Sequence, residues 1–134
     1  MTFPRTVTGL KALTIVVGAY SVIWIALEGN LTRVTLLAIG WTLVGLGHVL
    51  KRFLSGRTMP LLPGLAVTAA LGALSGFTAA MLTLVLMAVK TGLHAHGPEF
   101  TPDQIDWVLS QLPWWTTAGL LAGLGVGLVA AGRR

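Results

Sequence analysis

Four long apolar stretches, none with an ionisable residue in its middle, alternate with short polar segments along the chain. Each is long enough for the roughly 20 helical residues that cross the hydrocarbon core of a bilayer. The pattern predicts transmembrane helices over residues 7–27, 32–54, 62–93 and 113–132. We therefore expect an all-α integral membrane protein in which residues 1–134 form one four-helix bundle.

A shorter helix is predicted in the polar segment that precedes the last apolar stretch. Thr101 offers a capping hydroxyl, Pro102 suits a first helical position, and Asp103 places an acid in the first turn. Apolar residues then recur at helical spacing along one face. This pattern is typical of an amphipathic helix on a membrane surface, here over 102–112. Pro113 would then open the fourth transmembrane helix.

The composition supports membrane insertion and excludes several other classes of protein. Apolar residues make up 54% of the chain, charged residues 10%, and the mean hydropathy is +0.83. The absence of cysteine excludes disulfides and thiolate chemistry. The net charge of +5 comes from basic residues at the ends of the apolar stretches, where they meet lipid headgroups. We therefore expect a lipid bilayer as partner, and no nucleic acid.

The distribution of charge predicts the orientation. Basic residues precede the first stretch, lie between the second and third, and end the chain: Arg5, Lys11, Lys51, Arg52, Arg57, Arg133 and Arg134. The other two connections carry only Arg33 and Lys90, and they hold all 4 acidic residues. The positive-inside rule then places both termini in the cytoplasm. We expect a multi-pass protein of a prokaryotic plasma membrane.

Small residues and one tryptophan mark candidate contact surfaces. The last stretch has two consecutive GxxxG steps at Gly119, Gly123 and Gly127, which suit close helix packing. Packing within the chain is the simpler interpretation, and contact with another subunit is the alternative. Trp107 falls opposite the apolar face of the predicted surface helix. It either folds against the loop around His94 or anchors a partner subunit.

An ion pair is predicted at the outer end of the bundle. Glu28 and Lys90 each continue the small-residue face of their helix, and Arg33 follows Glu28 closely. We expect Glu28 to pair with Lys90 or with Arg33 and so to fasten the helix ends together.

Three histidines are the candidates for binding a metal or a cofactor. His94 and His96, with the carboxylate of Glu99, could bind zinc or copper. The alternative is a solvated turn in which the histidines hydrogen-bond to nearby acids. His48 stands alone near the cytoplasmic end of the second stretch, where one imidazole could ligate a pigment magnesium or a haem iron. The cofactor is otherwise unknown.

These features favour a non-catalytic accessory subunit of a larger photosynthetic, respiratory or transport complex. The middles of the spans carry no charge, which transport and proton chemistry usually require. The chain also contains no nucleophile–base pair, phosphate loop or carboxylate dyad, so we expect no enzyme. Two alternatives remain open: an independent oligomeric channel or transporter, and a metal- or pigment-binding membrane protein.

Overall fold

The computed structural model describes residues 1–94 and 97–132, and its regular structure there is helical. No strand occurs among these residues, which confirms the predicted all-α class. The helices are α1 (Leu10–Ala26), α2 (Leu31–Val49), α3 (Leu61–Leu93) and α4 (Pro102–Gly132). A π-helical turn, Leu50–Leu54, extends α2.

Three helices have the length and composition to cross a membrane. They are α2 with its π-helical turn (24 residues), α3 (33 residues) and α4 (31 residues). α1 is apolar but has 17 residues. At 1.5 Å per residue, α3 measures about 50 Å and is longer than the roughly 30 Å of bilayer hydrocarbon.

The start of α4 agrees with the sequence prediction. The backbone N–H of Gln104 donates to Thr101 Oγ1 at 3.3 Å, and the Thr101 N–H donates to Gln104 Oε1 at 3.0 Å. This reciprocal pair is a capping box, which satisfies amides that the first helical turn leaves without partners. The helix therefore begins at Pro102, as predicted.

The predicted boundary between a surface helix over 102–112 and a separate last helix is wrong. One helix runs from Pro102 to Gly132 with Pro113 in its interior. Proline there removes one backbone hydrogen bond and normally kinks or ends a helix. However, α3 accompanies α4 on both sides of this position, and Val108 lies fully buried in one core with Met87. Packing against α3 therefore outweighs the local signal to stop.

Helices α3 and α4 run antiparallel with their backbones in contact. A Cβ on Gly72 would overlap backbone atoms of Gly119, and a Cβ on Gly123 would overlap those of Thr68. Gly76 meets the backbone of α4 in the same way. Such close packing gives the two helices many favourable van der Waals contacts.

The remaining helices join this pair in chain order and form an open helical bundle. In the described part of the chain, extended backbone contact links α1 with α2, α2 with α3, and α3 with α4. α1 lies antiparallel to α2, with Leu10 against Gly47 and Val17 against Gly40. As a result, the start of α1 and the end of α2 lie at one end of the bundle.

The N-terminal segment closes that same end. The Phe3 N–H donates to the Arg57 carbonyl at 3.0 Å, and the Met59 N–H donates to the Met1 carbonyl at 2.9 Å. Met1 and Phe3 are buried against Leu54 and form a small second core. The segment thereby fixes the connection between α2 and α3.

The α3–α4 contact predicts opposite effects for two glycines on α4. Gly123→Ala should lower the free energy of unfolding by about 1–3 kcal/mol, because its methyl group meets immovable backbone of α3. Gly125→Ala should be neutral or stabilising by up to about 1 kcal/mol, since its Cβ meets nothing and alanine favours helix. Thermal unfolding in a neutral detergent measures both. Equal effects of the two substitutions would contradict the assigned packing.

Candidate functional site

The most unusual group in the structure is a lysine buried at the end of the bundle that holds the α1–α2 turn. Lys90 is 0% exposed, and its Nζ donates to the carbonyls of Trp24 at 3.0 Å and Ile25 at 2.7 Å. The same Nζ lies 5.1 Å from the centre of the Trp24 ring. These carbonyls belong to the last turn of α1, where the helix dipole is negative, and the Trp24 carbonyl also accepts the Leu27 N–H at 3.2 Å. The burial of this ammonium group is therefore compensated by a helix end and an aromatic face.

A carboxylate binds the other side of the same turn. Glu99 Oε2 accepts the Gly29 N–H at 2.6 Å, and Glu99 Oε1 lies 2.6 Å from His94 Nδ1. The Glu99 side chain is 7% exposed and that of His94 is 25% exposed. Asn30 completes the turn by capping α2, since its Oδ1 accepts the Arg33 N–H at 3.1 Å. We call Lys90, His94 and Glu99 the turn clamp.

The turn clamp has the chemistry of a structural fastening. Lys90 donates hydrogen bonds to two backbone carbonyls at the end of α1, and Glu99 accepts one from a backbone N–H in the α1–α2 turn. Donors and acceptors of the backbone are thus both paired here. Pairing matters because unsatisfied backbone groups are costly away from water. The clamp ties the α1–α2 hairpin to the end of α3 and to the loop before α4.

The predicted ion pair of Glu28 with Lys90 or Arg33 is not formed. Within the described residues, the salt bridge under 4.0 Å is His94–Glu99. α1 ends at Ala26, and the extended backbone that follows carries Glu28 to an exposed position. The sequence correctly placed Lys90 beside the end of α1, but its acceptors are backbone carbonyls.

The structure brings together two members of the predicted metal site. His94 and Glu99 lie within hydrogen-bonding distance, whereas His96 lies outside the described residues. Among the described residues, no group of three or more histidine, cysteine or acidic side chains could hold a metal ion. The contact between His94 and Glu99 corresponds to the alternative interpretation, a histidine hydrogen-bonded to a nearby acid.

His48 lies apart from the turn clamp, near the other end of α2. Its Nδ1 lies 2.9 Å from the Val44 carbonyl oxygen. A carbonyl only accepts, so Nδ1 carries the proton of this hydrogen bond and Nε2 is the nitrogen left for a ligand. The side chain is exposed and lines a groove with Lys11 and Lys51. Such an arrangement fits either a cofactor ligand or a polar group at a membrane surface.

The predicted partner surfaces separate into two groups. Gly119, Gly123 and Gly127 pack against α3 and are therefore used within the chain. This agrees with packing within the chain, which the sequence favoured, and not with the alternative of contact with another subunit. Trp107 is 45% exposed and remains available to a partner.

The hydroxyl groups that a channel would need are occupied. Thr14, Ser21 and Ser75 each donate to the carbonyl four residues earlier in their own helix, at 2.7–2.8 Å. Thr83 does the same at 2.8 Å, and Thr68 donates to the Leu65 carbonyl at 3.0 Å. Hydroxyls in apolar surroundings commonly satisfy themselves in this way. These contacts do not form a polar track between helices.

Comparison with known proteins adds no assignment to this geometry. No protein-family model, curated protein or solved structure matches the chain.

The hydrogen bonds of Lys90 predict that two charged residues near the α1–α2 turn differ strongly in their contribution to stability. Lys90→Met should lower the free energy of unfolding by about 1.5–3 kcal/mol, because carbonyls bonded to a charged donor lose it. Glu28→Gln should change it by less than about 0.5 kcal/mol, as is usual for exposed side chains. Thermal unfolding of the detergent-purified variants compares them. A comparable loss of unfolding free energy in both variants would instead support an ion pair between Glu28 and Lys90.

The Glu99 contact predicts a local effect on the α1–α2 turn. Glu99→Gln should speed hydrogen exchange of the Gly29 amide by roughly fivefold to tenfold, since a neutral acceptor holds an N–H less strongly than a carboxylate. Asp106→Asn removes an exposed acid at the same end and should leave this amide unchanged. Exchange measured by NMR in micelles tests both variants. An unchanged rate in Glu99→Gln would show that the carboxylate does not hold the turn.

Proposed function

We propose that this protein is a non-catalytic, four-span membrane protein that packs as a small subunit in a larger membrane assembly. Insertion is supported by apolar side chains that point outward along the helices, such as Val22 at 70% and Leu121 at 61% exposure. The 17 residues of α1 reach about 25 Å, at the short end of membrane-spanning helices. The residues that flank α1, together with slight thinning of the bilayer, would make up the difference between the length of α1 and the thickness of the hydrocarbon core.

The ends of the helices support the proposed orientation. The antiparallel order puts the acidic residues at one end, after α1 and around the start of α4. Lys11, Lys51 and Arg52 lie at the opposite end. Because basic residues stay preferentially on the cytoplasmic side, we assign that end to the cytoplasm.

The uncovered faces of the open bundle carry the subunit proposal. Each helix packs on its neighbour in the chain, and wide faces of α2 and α4 have no protein against them in the described residues. Gly45 on α2 and Gly125 on α4 lie on such faces, with open space where a Cβ would be. Lipid chains do not require glycine, whereas an approaching helix gains contact area from it. Trp41 and Trp107, both partly exposed, are suited to anchor a partner.

The channel alternative receives less support from the same observations. A polar path would need free hydroxyls or charges within the apolar layer. The hydroxyls considered for it donate to their own helices, and Lys90 is occupied by α1.

The subunit proposal predicts partners that depend on an open glycine. The chain should carry a C-terminal tag, since Met1 is 2% exposed and fixed by hydrogen bonds. After isolation in a mild detergent, mass spectrometry should find other membrane proteins in stoichiometric amounts. The Gly125→Leu variant should no longer co-purify with these proteins, because the leucine side chain blocks the open face of α4. The chain should stay folded, since a Cβ at this position meets nothing in the protein. The control is Gly92→Leu, which adds the same side chain at another open position.

Two results would contradict the proposal. If alkaline carbonate releases the chain from membranes, the proposal that it is inserted in the bilayer is wrong. A homo-oligomer that remains free of other proteins under several mild detergents would remove the subunit role and favour the channel alternative. An absorption spectrum of the same sample tests the predicted pigment or haem, with His48→Ala as the variant that should lose its bands.

A further inference from the structure

A basic groove lies between the start of α1 and the end of α2, at the end opposite to the turn clamp. It has a volume of about 740 Å³, and its lining includes Gly9, Lys11, Ile15, His48 and Lys51. We call this surface the basic groove. It is of a size that accommodates small organic ligands.

Within residues 1–94 and 97–132, the lysines of the basic groove form no salt bridge with a carboxylate. The chain has 4 acidic residues, and all of them belong to the α1–α2 turn or to the region around the start of α4. These positions lie at the far end of helices about 25 Å or more in length. Among the described residues, the salt bridge is His94–Glu99, also at the far end. The counter-ion of Lys11 and Lys51 must therefore come from outside the described chain.

The backbone of the basic groove also suits an anion. Gly9 precedes α1 with a φ of 81°, and no side chain caps the helix there. The first amides of a helix without a side-chain cap, together with the positive end of the helix dipole, attract negatively charged groups. Lysine side chains and a helix start thus converge on one opening.

The walls of the basic groove are apolar where it leads away from the lysines. Leu10, Ala12 and Ile15 contribute to its lining, and Ile15 is 70% exposed. A soluble anion would gain nothing from these side chains, whereas the acyl chains of a lipid would cover them. The groove therefore combines a site for an anion with an apolar surface directly beside it.

We propose that the basic groove binds an anionic phospholipid, with the phosphate between Lys11 and Lys51 and the acyl chains along α1. This inference rests on the membrane insertion proposed above. Lysines near a membrane surface attract anionic lipids, and basic pockets between membrane helices hold their headgroups. His48 extends the polar rim of the site, where its Nε2 can accept a hydrogen bond from a headgroup hydroxyl, because Nδ1 already donates to the Val44 carbonyl.

Native mass spectrometry of the full chain can test this site with phosphatidylglycerol and phosphatidylcholine as probes. The two lipids are added in equal amounts to protein in a neutral detergent. The unmodified protein should retain one phosphatidylglycerol in preference to phosphatidylcholine. Lys11→Gln/Lys51→Gln should weaken this preference about tenfold or more, because each lysine contributes separately to anionic-lipid binding.

The matched control is Arg52→Gln/Arg57→Gln. It removes the same amount of charge from the same end of the bundle, but neither arginine lines the groove. It should keep the preference for phosphatidylglycerol. Circular dichroism and gel filtration establish that both double variants are folded before their lipid binding is compared.

Each outcome bears directly on the proposal. Loss of preference only in the Lys11/Lys51 variant supports it, and equal binding by all three proteins overturns it. Displacement of the lipid by the same concentration of inorganic phosphate would also overturn it, in favour of a site for a soluble anion. If carbonate extraction shows insertion but the unmodified chain does not prefer phosphatidylglycerol, the groove proposal fails alone.

Discussion

Close backbone contact between α3 and α4 is the constraint on which the rest of the structure depends. In hydrocarbon, association must come from dispersion and close fit, because apolar side chains gain little by leaving lipid. Glycines at 72, 76, 119 and 123 let the backbones meet where any Cβ would overlap the partner helix. This contact gives α4 a continuous support, and the helix passes Pro113 without ending. It also uses one face of α4 completely, which leaves the opposite face for other partners.

The turn clamp solves a different problem, the polar groups at helix ends. The last carbonyls of α1 and the amides of the following turn need partners where water is scarce. Lys90 supplies a cation at the negative end of α1, and Glu99 supplies an anion for the Gly29 N–H. Both come from the other half of the chain, so these hydrogen bonds also join the two helical hairpins. Lys90, which was predicted to pair with Glu28, instead donates to backbone carbonyls of α1.

The features that could be predicted from the sequence are those fixed by nearby residues. Apolar stretches specify the helices, and the Thr101–Gln104 spacing specifies the start of α4. The continuity of α4 could not be predicted, because local signals at Pro113 favour a break and the compensating support comes from α3. The hydrogen-bond acceptors of Lys90 could not be predicted either. Every residue has a backbone carbonyl, and only the fold brings those of Trp24 and Ile25 near the Lys90 Nζ. The GxxxG spacing sets Gly123 apart from Gly125 in the sequence, but only the fold shows that α3 is the helix packed on Gly123.

The separation of polar groups within the molecule bears most directly on its role. Hydroxyls inside the apolar layer bond to their own helices, and the buried lysine bonds to a helix end. Each of these groups therefore has a hydrogen-bond acceptor within the protein, as is usual for polar side chains in apolar surroundings. Lysines at one end of the bundle form no salt bridge among the described residues, and glycines along α2 and α4 have open space where a Cβ would be. Unpaired cations favour anionic lipid, and exposed glycines favour another helix. Both kinds of surface support a protein whose partners are other components of the membrane.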